Sequence, residues 1–408
     1  MPERKHILVL TADAGFGHRT AATAVAAALE DAYSDHCTVE VVNPLDDKRT
    51  PSFLRSSQAE YDNFVRQMPN FWKLNYKIST SKVPAAVLER ALTVLLFNVI
   101  RSIVKTYCPA AIVTTHPFYQ APLNAYLTLR SLQIPYLTVV TDLTHIHRLW
   151  FNRGADYLLL PTQEAYQQGI SRRFSANRLR VTGVPVNPTF VKETRSADEI
   201  RLGLGWLPGI TTVLVVGSKR VKNLMSVLNV LNHSGQPIQL VVVAGGDDEL
   251  FAQLQATQWH HPTHLYNYVT TLPLFMKASD LIISKAGGLI VTEALACGKP
   301  LLLVDVTPGQ EMGNASYVLN YGAGELAENP LQALEVMCHM LEHDGQLLHQ
   351  RAAIAASLGQ PRSAYTIADY AWQASEHGRM LPESRLRAWA PRFKELLRTF
   401  DISVTDEN

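Results

Sequence analysis

A chain of 408 residues with 47% hydrophobic and 18% charged side chains is too long for one small core, and its polarity is that of a soluble protein with two domains. A formal net charge of +1 argues against a nucleic-acid binder driven by bulk electrostatics. The four cysteines, Cys37, Cys108, Cys297 and Cys338, are widely spaced without a CxxC pair, which argues against a zinc site or a disulfide framework and points to free thiols in a reducing cytoplasm.

Taken in chain order, Ile7–Leu10 is apolar for too few residues to serve as a signal-peptide core and reads as a first strand. It runs into Thr11-Ala12-Asp13-Ala14-Gly15-Phe16-Gly17-His18-Arg19, a small-residue turn that places His18 at the start of a helix, facing an expected inter-domain cleft. The third glycine of a dinucleotide fingerprint is missing, and the second strand, Val39–Val42, ends in Asn43 rather than an acidic residue, so no nicotinamide cofactor is expected. A helix N-terminus disfavours a protonated imidazole, so His18 is expected to stay neutral and to accept a proton from a hydroxyl. The competing reading is a capping or packing histidine.

The longest apolar stretch, Ala91 to Ile100, is interrupted by Asn98 and flanked by charges, so it does not span a bilayer. Further strands are expected at Ala111–Thr115, Tyr136–Thr141, Tyr157–Leu160 and Leu179–Thr182. Gly183-Val184-Pro185-Val186-Asn187-Pro188 and the polar residues up to Glu199 look like an inter-domain join. Beyond it come expected strands at Thr212–Val216, Gln239–Val243, Asp280–Ser284 and Pro300–Val304. Strands alternating with helical patterns predict an α/β fold of two Rossmann-like domains with parallel sheets, binding ligands beyond the carboxyl ends of the strands. The expected domains are residues 1–190 and 191–375, followed by a charged tail or closing helix over 376–408. His260, His261 and His264 lack a carboxylate partner at metal-ligand spacing and read as solvated loop histidines.

The most informative stretch is Ser284 to Leu295. Gly287 and Gly288 sit where a helix should begin after a buried strand, and Glu293 lies about one and a half turns further on. A Gly-rich strand-to-helix turn offers bare N–H groups and the positive end of a helix dipole to phosphate, and a carboxylate along that helix suits the two hydroxyls of a ribose. This predicts a nucleotide diphosphate in the C-terminal half.

Three segments in this order, Gly15–Ala22, Lys285–Leu295 and Pro308-Gly309-Gln310-Glu311-Met312-Gly313-Asn314, resemble the monogalactosyldiacylglycerol synthases and processive diacylglycerol glycosyltransferases. These enzymes are relatives of the peptidoglycan N-acetylglucosaminyltransferase. Thr141-Asp142-Leu143 with His147, Trp150 and Phe151 also fits, as does Tyr61 to Tyr76 with Phe71, Trp72 and Lys73; the likeness runs from about residue 5 to about 375. The resemblance implies a GT-B architecture and an inverting, metal-independent transfer of galactose or glucose from a UDP-sugar to diacylglycerol, with no cofactor. It implies that His18 is the base, that Glu293 binds the ribose, and that Lys285, Ala286, Gly287 and Gly288 meet the diphosphate. Gln310, Glu311 and Asn314 would reach the sugar, and the backbone at Tyr268 and Val269 would read the uracil edge. Asp142 would orient or recharge His18, bind acceptor, or simply cap its segment. Gly15, Phe16, Gly17, His147 and Trp150 would line the acceptor side, and His116, followed by Pro117 after a strand, is expected either to line it too or to form a turn.

One departure from the family pattern is the loop Val216-Gly217-Ser218-Lys219-Arg220, where only Gly217 remains of the usual glycine run. Ser218 and Lys219 are then expected either to meet phosphate through their side chains or to form a solvated basic loop. Gly245 keeps a normal turn after the next strand. A lipid acceptor also implies an interfacial patch, and residues 51–105 carry eight basic residues against three acidic ones, interleaved with Phe64, Phe71, Trp72, Tyr76 and Phe97. The expected location is the cytoplasmic face of the cell membrane, bound peripherally to its anionic surface. An epimerase acting on UDP-N-acetylglucosamine, an N-acetylglucosamine transferase and a non-catalytic relative are the alternatives.

Overall fold

The computed structural model describes residues 4–13, 16–55, 82–219, 221–307 and 311–403. They fall into two compact units, residues 1–187 with 362–408 and residues 188–361. In the first unit, β1 (Lys5–Leu10), β2 (Cys37–Val42), β3 (Ala111–Thr114), β4 (Tyr136–Val139), β5 (Tyr157–Leu160) and β6 (Leu179–Val181) form a parallel sheet in the order β2-β1-β3-β4-β5-β6. Among the described residues four helices lie between them in sequence: α1 (Phe16–Tyr33), α2 (Lys82–Tyr107), α3 (Gln120–Leu129) and α4 (Gln163–Ser171).

Successive strand residues face opposite ways, and both sides of this sheet are covered. Ile7 and Val9 pack with Ala22, Val25, Ala28 and Leu29 of α1, while Leu8 and Leu10 pack with Leu92, Leu96, Phe97 and Ile100 of α2. Double burial is why these strands read as unbroken apolar runs rather than alternating ones. It also corrects one expectation. Phe97 is fully buried in this core and is not part of a membrane-facing patch.

The second unit repeats the plan with β7 (Thr211–Val216), β8 (Ile238–Val243), β9 (Thr263–Tyr266), β10 (Leu281–Lys285), β11 (Leu301–Asp305) and β12 (Gly324–Leu326), parallel and ordered β12-β11-β10-β7-β8-β9. Among its described residues, the helices of seven residues or more are α5 (Ala197–Gly203), α6 (Leu224–Asn232), α7 (Asp248–Ala256), α8 (Leu272–Ala278), α9 (Gly288–Ala296), α10 (Met312–Tyr321) and α11 (Pro330–Leu358). Helix α11 is broken by non-helical backbone at Glu342, His343, Asp344 and Gly345. Leu224, Val227, Leu228 and Leu231 of α6 and Ala333, Met337 and Met340 of α11 cover one face of the sheet. Ser196 and Glu199 form a reciprocal capping box that starts α5.

The chain then returns to the first unit. Helix α12 (Ser363–His377) lays Ala364, Ile367, Ala368 and Ala371 against Ile7, Val9 and the alanines of α1, so residues 362–375 belong with the first unit and not with the second, as the sequence had suggested. Small side chains on both helices make this close approach possible. Helix α13 (Glu383–Thr399) buries Leu386 and Leu397, the latter within the Leu8 core, so of the two expected forms of the C-terminal segment the structure shows the helix.

A buried charge fastens this return. Asp156 and Arg379 are both fully buried, with Arg379 Nε 3.4 Å from the Asp156 carboxylate. Asp156 also accepts the amides of Tyr136 (3.0 Å), Met380 (2.8 Å) and Leu381 (3.3 Å). One carboxylate thus holds β4 to the segment leading into α13. Replacing Asp156 with Ala strands a buried guanidinium and three amides, for an expected loss of about 3–5 kcal/mol. Denaturant unfolding should show a lower midpoint, and limited proteolysis should cut between α12 and α13 faster than in the unmodified protein.

Candidate functional site

Each sheet has one point where the order of strand addition reverses. In the first, β2 lies on one side of β1 and β3 on the other; in the second, β8 lies on one side of β7 and β10 on the other. Loops leaving the carboxyl ends of such a strand pair diverge and open a crevice. After β1 and β3 the chain places His18 and Thr115-His116; after β7 and β10 it places Gly217-Ser218 and Ala286-Gly287.

In the first unit His18, in the first turn of α1, is held by two threonines. Its Nδ1 donates to the Thr115 carbonyl oxygen at 2.7 Å, and Thr141 Oγ1 lies 3.1 Å from the same nitrogen. Thr115 Oγ1 donates in turn to the His18 carbonyl at 3.0 Å. A carbonyl oxygen only accepts, so Nδ1 carries the proton and the neutral ring leaves Nε2 as an acceptor. Burial lowers the His18 pKa to about 4, against the opposing effect of the Thr115 carbonyl, so the ring is neutral at physiological pH. His116 stands edge-on at 4.7 Å between ring centroids and Trp150 at 6.0 Å.

Asp142 does not orient His18. Its carboxylate accepts the Trp150 indole N–H at 2.8 Å, and burial raises its pKa to about 6 despite that bond and one from the His147 amide. The expected acceptor-lining residues are largely turned inward. His116 is buried and its Nδ1 accepts from the Phe118 amide, which caps a turn of 3-10 helix at Pro117–Tyr119. His147 likewise caps the turn Arg148–Trp150, and burial lowers its pKa to about 4. Trp150 is 1% exposed, leaving it no surface to offer a lipid. At Gly17 a Cβ would meet nothing within 4 Å among the described residues, so these do not demand glycine there.

In the second unit the glycines divide into two kinds. A Cβ on Gly217 would come within 2.8 Å of Leu224 Cδ2, and one on Gly245, at φ +70°, within 2.2 Å of the Gly217 carbonyl oxygen. Both are therefore demanded by packing where the ends of β7 and β8 meet. Gly287 has ordinary backbone angles (φ −67°, ψ 139°), and a Cβ there would meet only ordinary contacts from 3.5 Å outward. Its amide, however, already donates to the Lys285 carbonyl at 2.9 Å, while Val291 N–H bonds to the Gly287 carbonyl. The first-turn amides of α9 without an intrahelical acceptor are those of Gly288, Leu289 and Ile290, which moves the expected anion contact one residue along the chain.

Glu293 is 6% exposed, and among the described residues its carboxylate has no hydrogen bond or ion pair; burial alone raises its pKa to about 8. Glu311 forms an ion pair with Lys285 and accepts the Thr307 amide at 2.9 Å, so both groups stand engaged with each other at the α9 start. Asn314 Nδ2 donates to the Ala286 carbonyl at 3.0 Å and fixes the turn. Asp305, at the end of β11, accepts the Lys222 amide at 3.1 Å and ties down the loop after β7. Tyr268 is 70% exposed just beyond β9, with Val269 half-buried beside it.

Gly15, Phe71, Trp72, Lys73 and Gln310, with most of the expected basic–aromatic patch, lie outside the described residues, as does the side chain of Phe16. Sequence reasoning missed the two threonine clamps on His18 and the Lys285–Glu311 pair. The signal available was a polar residue directly after each strand at the reversal point. Among the described residues no group of three His, Cys, Asp or Glu is placed to hold a metal ion, and no helix is long and apolar enough to cross a membrane.

Residues 18–186 match the family model for monogalactosyldiacylglycerol (MGDG) synthase, and residues 211–343 match that for the glycosyltransferase family 28 C-terminal domain. A probable monogalactosyldiacylglycerol synthase 2, chloroplastic, of Oryza sativa subsp. indica is 28% identical over 373 residues, covering 89% of this chain and 79% of that protein. Among solved structures, MurG of Acinetobacter baumannii superposes with a TM-score of 0.59 at 15% identity, over 91% of this chain and 100% of that one. The UDP-GlcNAc 2-epimerase of Neisseria meningitidis, bound to UDP-GlcNAc, gives 0.57 at 14% identity, over 90% and 100%. At such identities these structures speak to the fold alone, and they place it in the GT-B class.

Burial of Glu293 has a measurable signature. Its folded pKa of about 8 lies above the ordinary 4.5, so between those values the folded state keeps a proton that the unfolded chain has lost. Stability of the ligand-free protein should therefore fall as pH rises through that window, by up to about 1.4 kcal/mol per pH unit. Glu293→Gln should flatten this slope in denaturation midpoints measured from pH 5 to 8, in steps of about one unit. A slope unchanged by the substitution would show that Glu293 ionises freely.

Proposed function

We propose, for a chain that belongs to the monogalactosyldiacylglycerol synthase family and is a family 28 glycosyltransferase, that it moves a galactose or glucose residue from a UDP-sugar to the hydroxyl of diacylglycerol with inversion at the anomeric carbon. The observation that carries this reading is the state of His18: neutral, its Nδ1 proton fixed on Thr115, and its Nε2 lone pair without a hydrogen bond among the described residues. In one displacement the acceptor oxygen bonds to the anomeric carbon, the bond from that carbon to the β-phosphate oxygen breaks, and the hydroxyl proton passes to His18 Nε2. UDP departs with the bonding pair.

The charge left on UDP needs stabilising where it develops. The amides of Gly288, Leu289 and Ile290 and the dipole of α9 supply that without a metal or a cofactor, with the Lys285 ammonium close to the same turn. Glu293, buried and without a partner, suits a ribose diol, whose two O–H donors would favour its charged form. The backbone beyond β9 at Tyr268 and Val269 suits the uracil edge. Glu311, with Gln310 beside it in sequence, would exchange part of its pairing with Lys285 for sugar hydroxyls. The helix start at Gly17 suits the acceptor headgroup. Diacylglycerol resides in membranes, so the enzyme would work at an anionic membrane surface, on the cytoplasmic face.

Incubation with UDP-galactose or UDP-glucose and diacylglycerol vesicles should release UDP and yield a glycolipid of the corresponding mass. Turnover of UDP-N-acetylglucosamine without any lipid acceptor would replace this reading with an epimerase, and no turnover of any UDP-sugar would leave a binding protein. His18→Ala should lower kcat at least about a hundredfold, the usual scale for a general base, while UDP binding measured by calorimetry persists. Near-normal kcat would remove the base assignment.

The hydroxyl beside His18 offers a finer test. Thr141→Val should lower kcat about threefold to tenfold, the scale of one hydrogen bond, leave KM unchanged, and be rescued by Thr141→Ser. A rise in KM with constant kcat would assign Thr141 to substrate binding.

A further inference from the structure

A cavity of about 880 Å³ lies wholly within the first unit, between α2, α3, the turn Arg148–Trp150 and α13. None of His18, His116, Thr141 and Asp142 lines it. Five arginines do, Arg90, Arg148, Arg153, Arg172 and Arg392, against the two carboxylates Glu89 and Glu395. One of those carboxylates, Glu89, accepts a hydrogen bond from Asn152 Nδ2 at 3.3 Å, and burial raises its pKa. Arg90 and Arg392 are exposed at the surface and make no hydrogen bond or ion pair among the described residues.

An aromatic wall accompanies this charge. Phe151, Trp389 and Phe393 line the cavity, and the Arg172 guanidinium already stands 4.1 Å from the Phe151 ring centre. A site for a simple anion has no use for such a wall, and a site for plain hydrocarbon has no use for five guanidiniums. Trp389, Arg392 and Phe393 all sit on α13, which lies beyond both matched family models, whose matches end at residues 186 and 343. The cavity is thus completed by an element that those models do not include.

We propose that this cavity binds a phosphate-headed amphiphile, the phosphate held by the arginines and the apolar body lying along Trp389 and Phe393. The guanidinium fork meets two phosphate oxygens at once, and several forks around one dianion share its charge. The volume falls within the range of about 300–1,000 Å³ usual for small-molecule sites. The inference uses none of the groups assigned to the donor or to the base, and of the basic residues within 51–105 expected to face a membrane it shares only Arg90. A molecule seated there bridges α2 and α13, and by mass action it raises the stability of the first unit.

Calorimetric titration with dodecyl phosphate below its micelle concentration tests this, with inorganic phosphate and a neutral dodecyl glycoside as separate arms. The expected result is saturable binding of dodecyl phosphate, at least about tenfold tighter than either control, with a raised melting temperature. Arg392→Glu and Arg90→Glu, both at exposed positions, should each weaken it about tenfold or more without changing the circular dichroism of the free protein, and Trp389→Ala should weaken it similarly. His18→Ala should bind the probe as the unmodified protein does. Equal binding of inorganic phosphate would make this a site for free anions and overturn the amphiphile. Equal binding of the neutral glycoside would overturn the role of the arginines. Binding that the charge reversals leave untouched, or that His18→Ala abolishes, would place the ligand elsewhere.

Discussion

A parallel sheet covered on both faces keeps no polar surface of its own, so its chemistry is confined to the ends of its strands. Everything notable in this chain follows from that confinement. Ile7 to Leu10 and Val213 to Val215 are sealed within apolar clusters, and the first residues free to be polar are those that leave the sheet. The reversal of strand order between β1 and β3, and again between β7 and β10, then decides which of those ends open into a crevice. His18, Thr115, Ser218 and Gly287 are found at these ends because the topology leaves them there.

Burial also sets the resting charge of the site. The same desolvation moves His18 downward and moves Asp142 and Glu293 upward. His18 at about 4 and Glu293 at about 8 are both largely uncharged at physiological pH, whereas Asp142 at about 6 keeps most of its charge. For a site proposed to receive a diphosphate this matters, since a neutral Glu293 offers no repulsion to an arriving polyanion. The Lys285–Glu311 pair keeps a cation and its counter-charge together beside α9, at the turn proposed to receive that diphosphate.

The strands of both sheets were legible in the sequence to within a residue or two at most ends, because double burial writes itself as short β-branched runs. Thr263–Tyr266 and Gly324–Leu326 were not, since four and three residues at the two edges of a sheet carry too little pattern. His18 and Glu293 were legible as candidates because each follows a glycine turn on a strand-to-helix connection. What joins them to their surroundings was not: Thr115 and Thr141 lie about a hundred residues or more from His18 in sequence, and only the strand order brings them to it. Glycine identity alone also misled. Gly217 and Gly245 look like ligand glycines yet are required by packing, whereas Gly17 and Gly287 are the ones that the described residues leave free. The extent of the second unit was misjudged because the alanine face of α12 has no meaning until α1 is present to receive it.

That return of the chain has a consequence for how the protein is made. The first unit needs α12 to cover Ile7 and Val9, but residues 363–377 are synthesised only after the whole of residues 188–361. On the ribosome, domains generally complete themselves in the order of their emergence. Here the order is inverted: the inserted unit has all its residues before the unit that began first. Until residues 363–377 emerge, the part of that sheet face beyond α1 and the alanine face of α1 itself stay uncovered. The nascent chain therefore carries an apolar seam for most of its synthesis, and α12 is the piece that closes it.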